Sequence, residues 1–234
     1  MKRFSLIVLA LVMLFAFTAC KESASDVVTT DKDNDEYSFD FSEIMIGDMV
    51  NKGEVFDMNA TYYAYINIID YGTITVKLDQ SQAPITVQNF VDLATSGFYN
   101  GLTFHRIMEG FMMQGGDPNG NGTGGCGKNI VGEFKANGYN NTISHARGVI
   151  SMARGGYSYD SASSQFFIMH EDYTGLDGQY AAFGYVTEGM NVVDKVCTTV
   201  KPIDNNGTIP SYAQPVIYKI VISKVVEATA DTAA

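Results

Sequence analysis

The chain has 234 residues, of which 46% are hydrophobic and 18% are charged. This composition allows a sizeable core and argues against a disordered chain, because disordered chains are poor in apolar residues. Lys and Arg number 15 against 26 Asp and Glu, a net charge of −11, so no basic surplus is present to bind nucleic acid. Three Cys are too few for a disulfide framework.

Residues 1–19 have the composition of an export signal. Lys2 and Arg3 precede an uncharged, mostly apolar stretch, which is the arrangement of a secretory signal peptide. The stretch ends in Phe17-Thr18-Ala19-Cys20, which resembles a bacterial lipobox, although Phe17 replaces the usual Leu. We expect Cys20 to carry a lipid that anchors the exported protein on the extracytoplasmic face of a membrane, at the cell surface or on the periplasmic side. An ordinary signal peptide and an uncleaved membrane anchor are the alternatives.

Residues 20–60 form an acidic segment with three basic and 11 acidic residues. As far as Glu36 the segment has no aromatic residue and little apolar surface to bury, which predicts a flexible tether. Residues 37–60 add aromatic side chains, and the sequence alone assigns no structure to them. At the other end of the chain, residues 228–234 are predicted to be a disordered tail.

Residues 61–227 are predicted to form one mainly β domain. Pro84 suits the first turn of a helix, an apolar stripe follows it, and Gly97 suits the helix end. A second helix is predicted around Met190–Val196. Short apolar and β-branched runs predict strands at Ala64–Asp70, Thr73–Asp79, Thr103–Met108, Phe111–Gln114, Val149–Ala153, Gln165–Met169, Ala181–Val186 and Val216–Val225. In the last run, Val216, Tyr218, Ile220 and Ile222 are predicted to share one face.

The polar residues do not form the motifs of metal, phosphate or hydrolase sites. The three His lack metal-ligand spacing and no Cys-x-x-Cys is present. Ten Gly lie between residues 97 and 127, but no Lys-Ser or Lys-Thr follows them as in a phosphate-binding loop. No Gly-x-Ser-x-Gly elbow supports a hydrolase. No metal or cofactor is therefore predicted, and Cys126 and Cys197 are expected to be free thiols.

Five ordered groups of residues stand out in the rest of the domain. They are Phe104-His105-Arg106-Ile107 with Gly110–Pro118, Asn121–Gly125, Gly148–Ala153, Ser164–Ile168, and Leu176-Asp177-Gly178 with Phe183-Gly184. Together they resemble the signature of the cyclophilins, the peptidyl-prolyl cis-trans isomerases, in the order of that family and over roughly residues 62–226.

The resemblance implies a closed eight-stranded antiparallel barrel capped by two helices. It also implies an isomerase that needs no cofactor and acts as a monomer on proline-containing polypeptides. With the export signal, the expected role is to assist the folding of unfolded exported proteins. The alternative is a catalytically weak peptide-binding module or holdase chaperone that uses the same groove.

Rotation about a peptide bond preceding proline requires no covalent step. Resonance gives the bond a barrier of about 18–20 kcal/mol, and each ~1.4 kcal/mol removed from it is a tenfold gain in rate. A catalyst needs an apolar socket for the proline ring and a fixed donor that favours the twisted amide over the planar one. Arg106 is the predicted donor, because a guanidinium is always charged and offers several N–H groups in a rigid fork.

By the resemblance, Arg106, Phe111 and Gln114 are the catalytic residues. The implied substrate-binding residues are Met112, Gly122, Ala153, Arg154, Gln165, Phe167, Leu176 and Tyr180. Arg154 stands where many members have Asn, Tyr180 where many have His, and Gly175 where some have the Trp that contacts cyclosporin. His105 is predicted to be structural, because strand alternation would turn it away from Arg106.

Overall fold

Residues 37–226 are the part of the chain that this computed structural model describes. Their strands are β1 (Asp48–Met49), β2 (Ala60–Ile68), β3 (Gly72–Leu78), β4 (Thr103–Met108), β5 (Met112–Asp117), β6 (Val149–Met152), β7 (Phe166–Met169), β8 (Ala182–Glu188) and β9 (Ile217–Val226). Their α-helices are α1 (Pro84–Thr95) and α2 (Met190–Thr199), neither of which is long and apolar enough to cross a membrane. The predicted signal peptide, Cys20, the tether as far as Glu36 and the tail lie outside the described residues.

The predicted strands and helices are all confirmed, with ends that differ by at most four residues. The nine strands form one antiparallel sheet in the order β1-β9-β2-β3-β8-β6-β7-β5-β4. Within residues 37–226 no ladder joins the outermost strands, β1 and β4, so the mainly β class is confirmed and the closed eight-stranded barrel is not. A single bridge, between Thr103 and Val216, links the start of β4 to the residue before β9.

One face of the sheet packs on α1 and encloses the main core. Phe90 of α1 contacts the rings of Tyr99, Phe166 and Phe183 at centroid distances of 5.2 to 5.5 Å. All four side chains are fully buried, and apolar burial stabilises by roughly 25 cal/mol per Å². This core fixes the strands whose opposite surfaces carry the predicted site.

The predicted face of β9 is wrong at Tyr218. Ile217 and Ile220 lie in the main core, whereas Tyr218 packs on the opposite surface of the sheet. The cause is a bulge, since two successive residues of β2 pair with Lys219 and Ile217 and leave Tyr218 without a partner in that ladder. An extra residue of this kind inverts the alternation of side chains beyond it.

Residues 37–46 pack on the outer surface of the sheet. Phe41 is buried against Tyr65 and Val221, and the N–H of Ile46 donates a hydrogen bond to the Tyr65 hydroxyl (2.5 Å). β1 then pairs with β9. The segment therefore covers strand β9, which would otherwise expose unpaired backbone groups at the edge of the sheet.

A buried carboxylate holds the start of α1. Ala83, at the N-cap, supplies no side-chain hydrogen bond. Instead Glu133, only 1% exposed, accepts hydrogen bonds from the N–H groups of Ile85 (3.1 Å) and Thr86 (2.7 Å) and from the Thr86 hydroxyl (2.7 Å). A negative charge is favourable at this end of a helix, because the first N–H groups lack partners within the helix.

We predict that Glu133→Ala lowers the free energy of unfolding by about 2–4 kcal/mol, because buried donors lose their charged partner. Urea denaturation measures this change. Glu109→Ala is the control, since Glu109 is exposed and makes only a 3.6 Å ion pair with Lys201, and its loss should cost at most about 1 kcal/mol. Equally small effects of the two substitutions would contradict the role of Glu133.

Candidate active site

Arg106 faces outward because β4 contains a bulge at His105. Phe104 pairs with Gly115 and Arg106 pairs with Gln114, so an advance of two residues along β4 matches an advance of one residue along β5. Strict alternation would place Phe104 and Arg106 on the same face. With His105 as the extra residue, Phe104 enters the core and Arg106 emerges on the other face beside Gln114.

Neutral groups hold the guanidinium of Arg106. Nε donates to the backbone carbonyl of Asn206 (2.7 Å) and Nη1 to Gln114 Oε1 (3.4 Å), while two methionine sulfurs lie 3.9 and 3.2 Å from Nη1 and Nη2. No carboxylate within residues 37–226 forms an ion pair with it. Burial lowers the pKa of Arg106 and nearby Tyr180 and Asp204 oppose the shift. The group stays protonated at neutral pH.

A cavity of about 150 Å³ lies next to this guanidinium. Its lining residues are Arg106, Phe111, Met112, Gln114, Ala153, Arg154, Phe167, Leu176 and Tyr180. All nine belong to the set that the sequence predicted, so residues from four separate motifs meet at one place. Six of the nine are apolar or aromatic side chains, and the other three are Arg106, Gln114 and Arg154.

The remaining two predicted residues, Gly122 and Gln165, line an adjoining cavity of about 280 Å³. The two cavities are connected by side-chain amides, since Gln114 Nε2 donates to Gln165 Oε1 (2.9 Å). Gln165 Nε2 in turn donates to the carbonyls of Gly122 (3.1 Å) and Gly124 (2.8 Å). A row of hydrogen bonds therefore runs from Arg106 to the glycine-rich loop and fixes the floor of both cavities.

Comparison with known proteins identifies the family. The family model "Cyclophilin type peptidyl-prolyl cis-trans isomerase/CLD" matches residues 63–225. The chain belongs to this family. It is a peptidyl-prolyl cis-trans isomerase (EC 5.2.1.8), as the motifs predicted, and it accelerates rotation about peptide bonds that precede proline.

Relatives and solved structures agree with this assignment. A peptidyl-prolyl cis-trans isomerase of Helicobacter pylori is 45% identical over 142 residues, which are 60% of this chain and 83% of the relative. Peptidyl-prolyl cis-trans isomerase B of Bacillus subtilis is 45% identical over 126 residues, 54% of this chain and 84% of the relative. A crystal structure of a cyclophilin-type isomerase from Cryptosporidium parvum superposes with a TM-score of 0.60 at 30% identity, over 69% of this chain and 97% of that one. A second structure of that protein, determined in the presence of the dipeptide Ala-Pro, gives 0.59 at 29% identity over 71% and 99%.

Beneath the cyclophilin groove, a Ser–His–Asp array supports Phe167. The His145 ring stacks on Phe167 at a centroid distance of 6.0 Å. His145 Nδ1 lies 2.9 Å from Asp177 Oδ1, and Nε2 lies 3.0 Å from Ser151 Oγ. Ser151 and His145 are fully buried, so no substrate reaches the hydroxyl and the array supports the groove rather than hydrolysis.

His105 is the extra residue of the bulge, so strand alternation does not set its direction, although the predicted structural role is not contradicted. Its ring contributes to a third cavity of about 400 Å³, which Arg106 also lines, and Nε2 lies near Gly122. The ring is 4% exposed and neither nitrogen has a hydrogen-bond partner among residues 37–226. Burial lowers the pKa of His105, while Asp117 opposes the shift.

Two contributors to the groove escaped the sequence analysis. The Tyr173 ring packs edge-on against Phe111 at 5.1 Å, and a Cβ added at Gly175 would come within 2.8 Å of it. Tyr173 therefore borders position 175, where some cyclophilins have Trp. In the sequence, the Gly at that position was the feature that could have pointed to Tyr173. Asn206 acts only through its backbone carbonyl, which leaves no signal in the side chain.

Among residues 37–226 there is no metal centre and no disulfide. Within residues 37–226, no three His, Cys, Asp or Glu side chains are grouped as metal ligands. Cys126 and Cys197 are free thiols, as expected. Burial, together with nearby Asp194, raises the pKa of the Cys197 thiol to about 12, so this thiol stays protonated and inert.

We predict that the domain loses stability as the pH falls from 7.5 to 5. Burial lowers the pKa of His145 and His105 below 6.5, although Asp177 opposes the shift of His145. Below pH 6.5 the unfolded chain therefore binds more protons than the folded chain. The contribution of the two neutral His side chains to stability is complete above pH 6.5 and is lost as the pH falls from 6.5 through their lower folded-state pKa. Thermal unfolding measures the effect, and a His105→Gln, His145→Gln double variant should show a smaller decrease. A melting temperature that is constant over this range would contradict it.

Proposed function

We propose that Arg106, Phe111 and Gln114 catalyse the isomerisation in the groove just described. Phe111, Met112, Phe167 and Leu176 hold the proline ring in the 150 Å³ cavity. Arg106 donates a hydrogen bond to the amide as it twists, and Gln114 orients the substrate backbone. The observation that carries this proposal is a guanidinium that has no carboxylate partner among residues 37–226 and that lines a cavity with mostly apolar and aromatic side chains.

The physical argument rests on the difference between planar and twisted amides. In the twisted state the nitrogen lone pair is no longer delocalised, so it accepts a hydrogen bond that the planar amide does not accept. A donor that is already fixed and partly removed from water stabilises that state without reorganisation. The Asn206 carbonyl and Gln114 fix the guanidinium, and their neutrality leaves its charge available to the substrate.

We predict that Arg106→Ala lowers kcat/KM for a proline peptide at least tenfold, equivalent to about 1.4 kcal/mol of transition-state stabilisation. Arg106→Lys should recover only part of the activity, because an ammonium lacks the planar fork. A protease-coupled assay measures the rates, and the melting temperature shows whether each variant is folded.

Near-wild-type kcat/KM in a folded Arg106→Ala variant would contradict this role. A wild-type protein that prevents aggregation of an unfolded client but does not accelerate a proline peptide would instead be a holdase. The two results separate the proposed mechanism from the alternative function.

We further propose that the substrates are exported proteins and that the enzyme is a lipoprotein. The order of a basic head, an apolar stretch, Thr18-Ala19-Cys20 and an acidic segment supports this. As a coil, the 16 residues from 21 to 36 would span roughly 20–25 Å. That length would let the enzyme meet newly exported chains while it remains anchored, and the acidic residues would keep the segment off anionic lipid.

We predict that cells expressing the wild type incorporate labelled fatty acid into the protein and that Cys20→Ser abolishes the label. Cys126→Ser is the matched control, because it removes another thiol and should keep the label. Globomycin should leave the wild type with its apolar segment uncleaved. A wild-type protein that is soluble and unlabelled would rule out the lipid anchor.

We also propose that the protein is a monomer and that its sheet closes into an eight-stranded barrel. Hydrogen bonds from the Phe104 N–H to Pro215 and from the Ile217 N–H to Leu102 support closure, since they bring β4 to the start of β9 (3.0 and 2.8 Å). A closed sheet would have no free edge there.

A further inference from the structure

Arg154 is a second cation in the groove and is held without a carboxylate. Its guanidinium carbon lies 4.8 Å from the ring centroid of Tyr180, 5.1 Å from Tyr159 and 5.3 Å from Phe134. Nε and Nη1 donate to two backbone carbonyls at 2.9 and 3.2 Å. Ring faces attract cations, so the side chain is fixed in place before any substrate binds.

The charge of Arg154 is not used inside the domain. No ion pair links it to an Asp or Glu within residues 37–226, and Nη2 makes no hydrogen bond there. A partly buried cation without a counter-ion is costly, and a carboxylate supplied by a ligand would remove that cost. The rest of the chain does not attract a carboxylate of a ligand, because the protein carries a net charge of −11.

The position of Arg154 indicates which part of a substrate it meets. It lines both the 150 Å³ cavity proposed for proline and the adjoining 280 Å³ cavity. Among residues 37–226 it is the only charged residue that lines the second cavity, whose other walls are glycines, Ala153, Tyr157 and hydroxyl or amide side chains. Uncharged donors at that site accept a carboxylate without repelling it.

The spacing follows from the geometry of an extended peptide. Side chains alternate between faces, and residues two apart lie on the same face about 6.5–7 Å from each other. The two cavities share Gln114, Ala153 and Arg154 as walls and so lie side by side. An extended substrate with its proline ring in the first cavity would therefore place in the second a side chain on the same face, from a residue two positions away. The adjacent residue points to the opposite side.

We propose that Arg154 is a specificity-determining residue that selects substrates with Asp or Glu two positions from the proline. The inference rests on the proposed placement of proline in the 150 Å³ cavity. Its chemistry is a charge-assisted hydrogen bond from Nη2 to the carboxylate, with the guanidinium plane fixed by the three rings.

The test uses the full-length protein in detergent and peptides built on Gln-Ala-Pro-Ala-Gln. Glu replaces the first Gln, the last Gln or the Ala that precedes proline, and exchange NMR gives kcat/KM for each peptide. Wild type is compared with Arg154→Asn, Arg154→Lys and the control Lys195→Gln. Lys195 also packs on a ring, that of Tyr71 at 5.0 Å, but it belongs to α2 and lines neither cavity.

In wild type, Glu at one of the two outer positions should raise kcat/KM about fivefold over Gln, the effect of a partly exposed ion pair. The ratio of kcat/KM for the Glu peptide to that for the Gln peptide should fall to about one in Arg154→Asn, stay partly raised in Arg154→Lys, and be unchanged in Lys195→Gln. In wild type, this ratio should also be smaller in 0.5 M NaCl.

Equal rates for Glu and Gln at both outer positions, or a preference that survives in Arg154→Asn, would overturn the proposal. If Glu directly before the proline raised kcat/KM as much as Glu at an outer position, the placement of alternate side chains in the two cavities would be wrong, and the proposal with it. If wild type accelerated none of the peptides, the proposed catalytic role of the groove would fail first. Catalysis of the all-Gln peptide therefore separates failure of this inference from failure of the proposed function.

Discussion

The bulge at His105 is the constraint on which the active site depends. Without it, Arg106 would follow Phe104 into the core, where an unpaired guanidinium would cost several kcal/mol. The extra residue has a partner outside β5, since the His105 carbonyl accepts a hydrogen bond from the N–H of Ile209 (3.0 Å). Gly207 permits this approach: its φ is +86° and an added Cβ would lie 2.8 Å from the Ile107 carbonyl.

The loop that supports the bulge also orients the side chain of Arg106. Asn206 precedes Gly207, and its carbonyl accepts the Nε–H of Arg106. A single backbone turn therefore determines both the face on which the guanidinium emerges and its orientation on that face. Arg154 is treated in the same way, because carbonyls and ring faces hold it instead of acids. In a protein of net charge −11, these neutral supports leave the two guanidinium groups without an ion pair among residues 37–226.

Local sequence patterns were enough to predict the helices and strands, and the resemblance to the cyclophilins was enough to predict most of the groove. The apolar stripe of α1 and the β-branched runs depend on neighbouring residues, so their positions could be predicted to within a few residues. The side of the sheet on which Tyr218 and His105 lie could not be predicted, because it depends on a bulge that exists only when two strands pair. Nine of the eleven groove residues belong to recognisable motifs, and Arg154 and Tyr180 were predicted from their positions beside those motifs. Asn206 and Tyr173 belong to none, and they reach Arg106 and Phe111 only in three dimensions.

The buried array of Ser151, His145 and Asp177 shows why access, and not geometry alone, determines chemistry. Its distances, 2.9 and 3.0 Å, fall within those expected of a nucleophile, a base and an orienting acid. A nucleophile must also reach a substrate, and Ser151, which pairs with Phe167 between strands β6 and β7, has no exposed surface. Satisfied hydrogen bonds at both His145 nitrogens instead make a firm support, since a buried polar group without partners would be costly. The ring of Phe167 thus has a fixed base, and isomerisation needs a fixed socket of this kind to hold the proline while the preceding carbonyl swings.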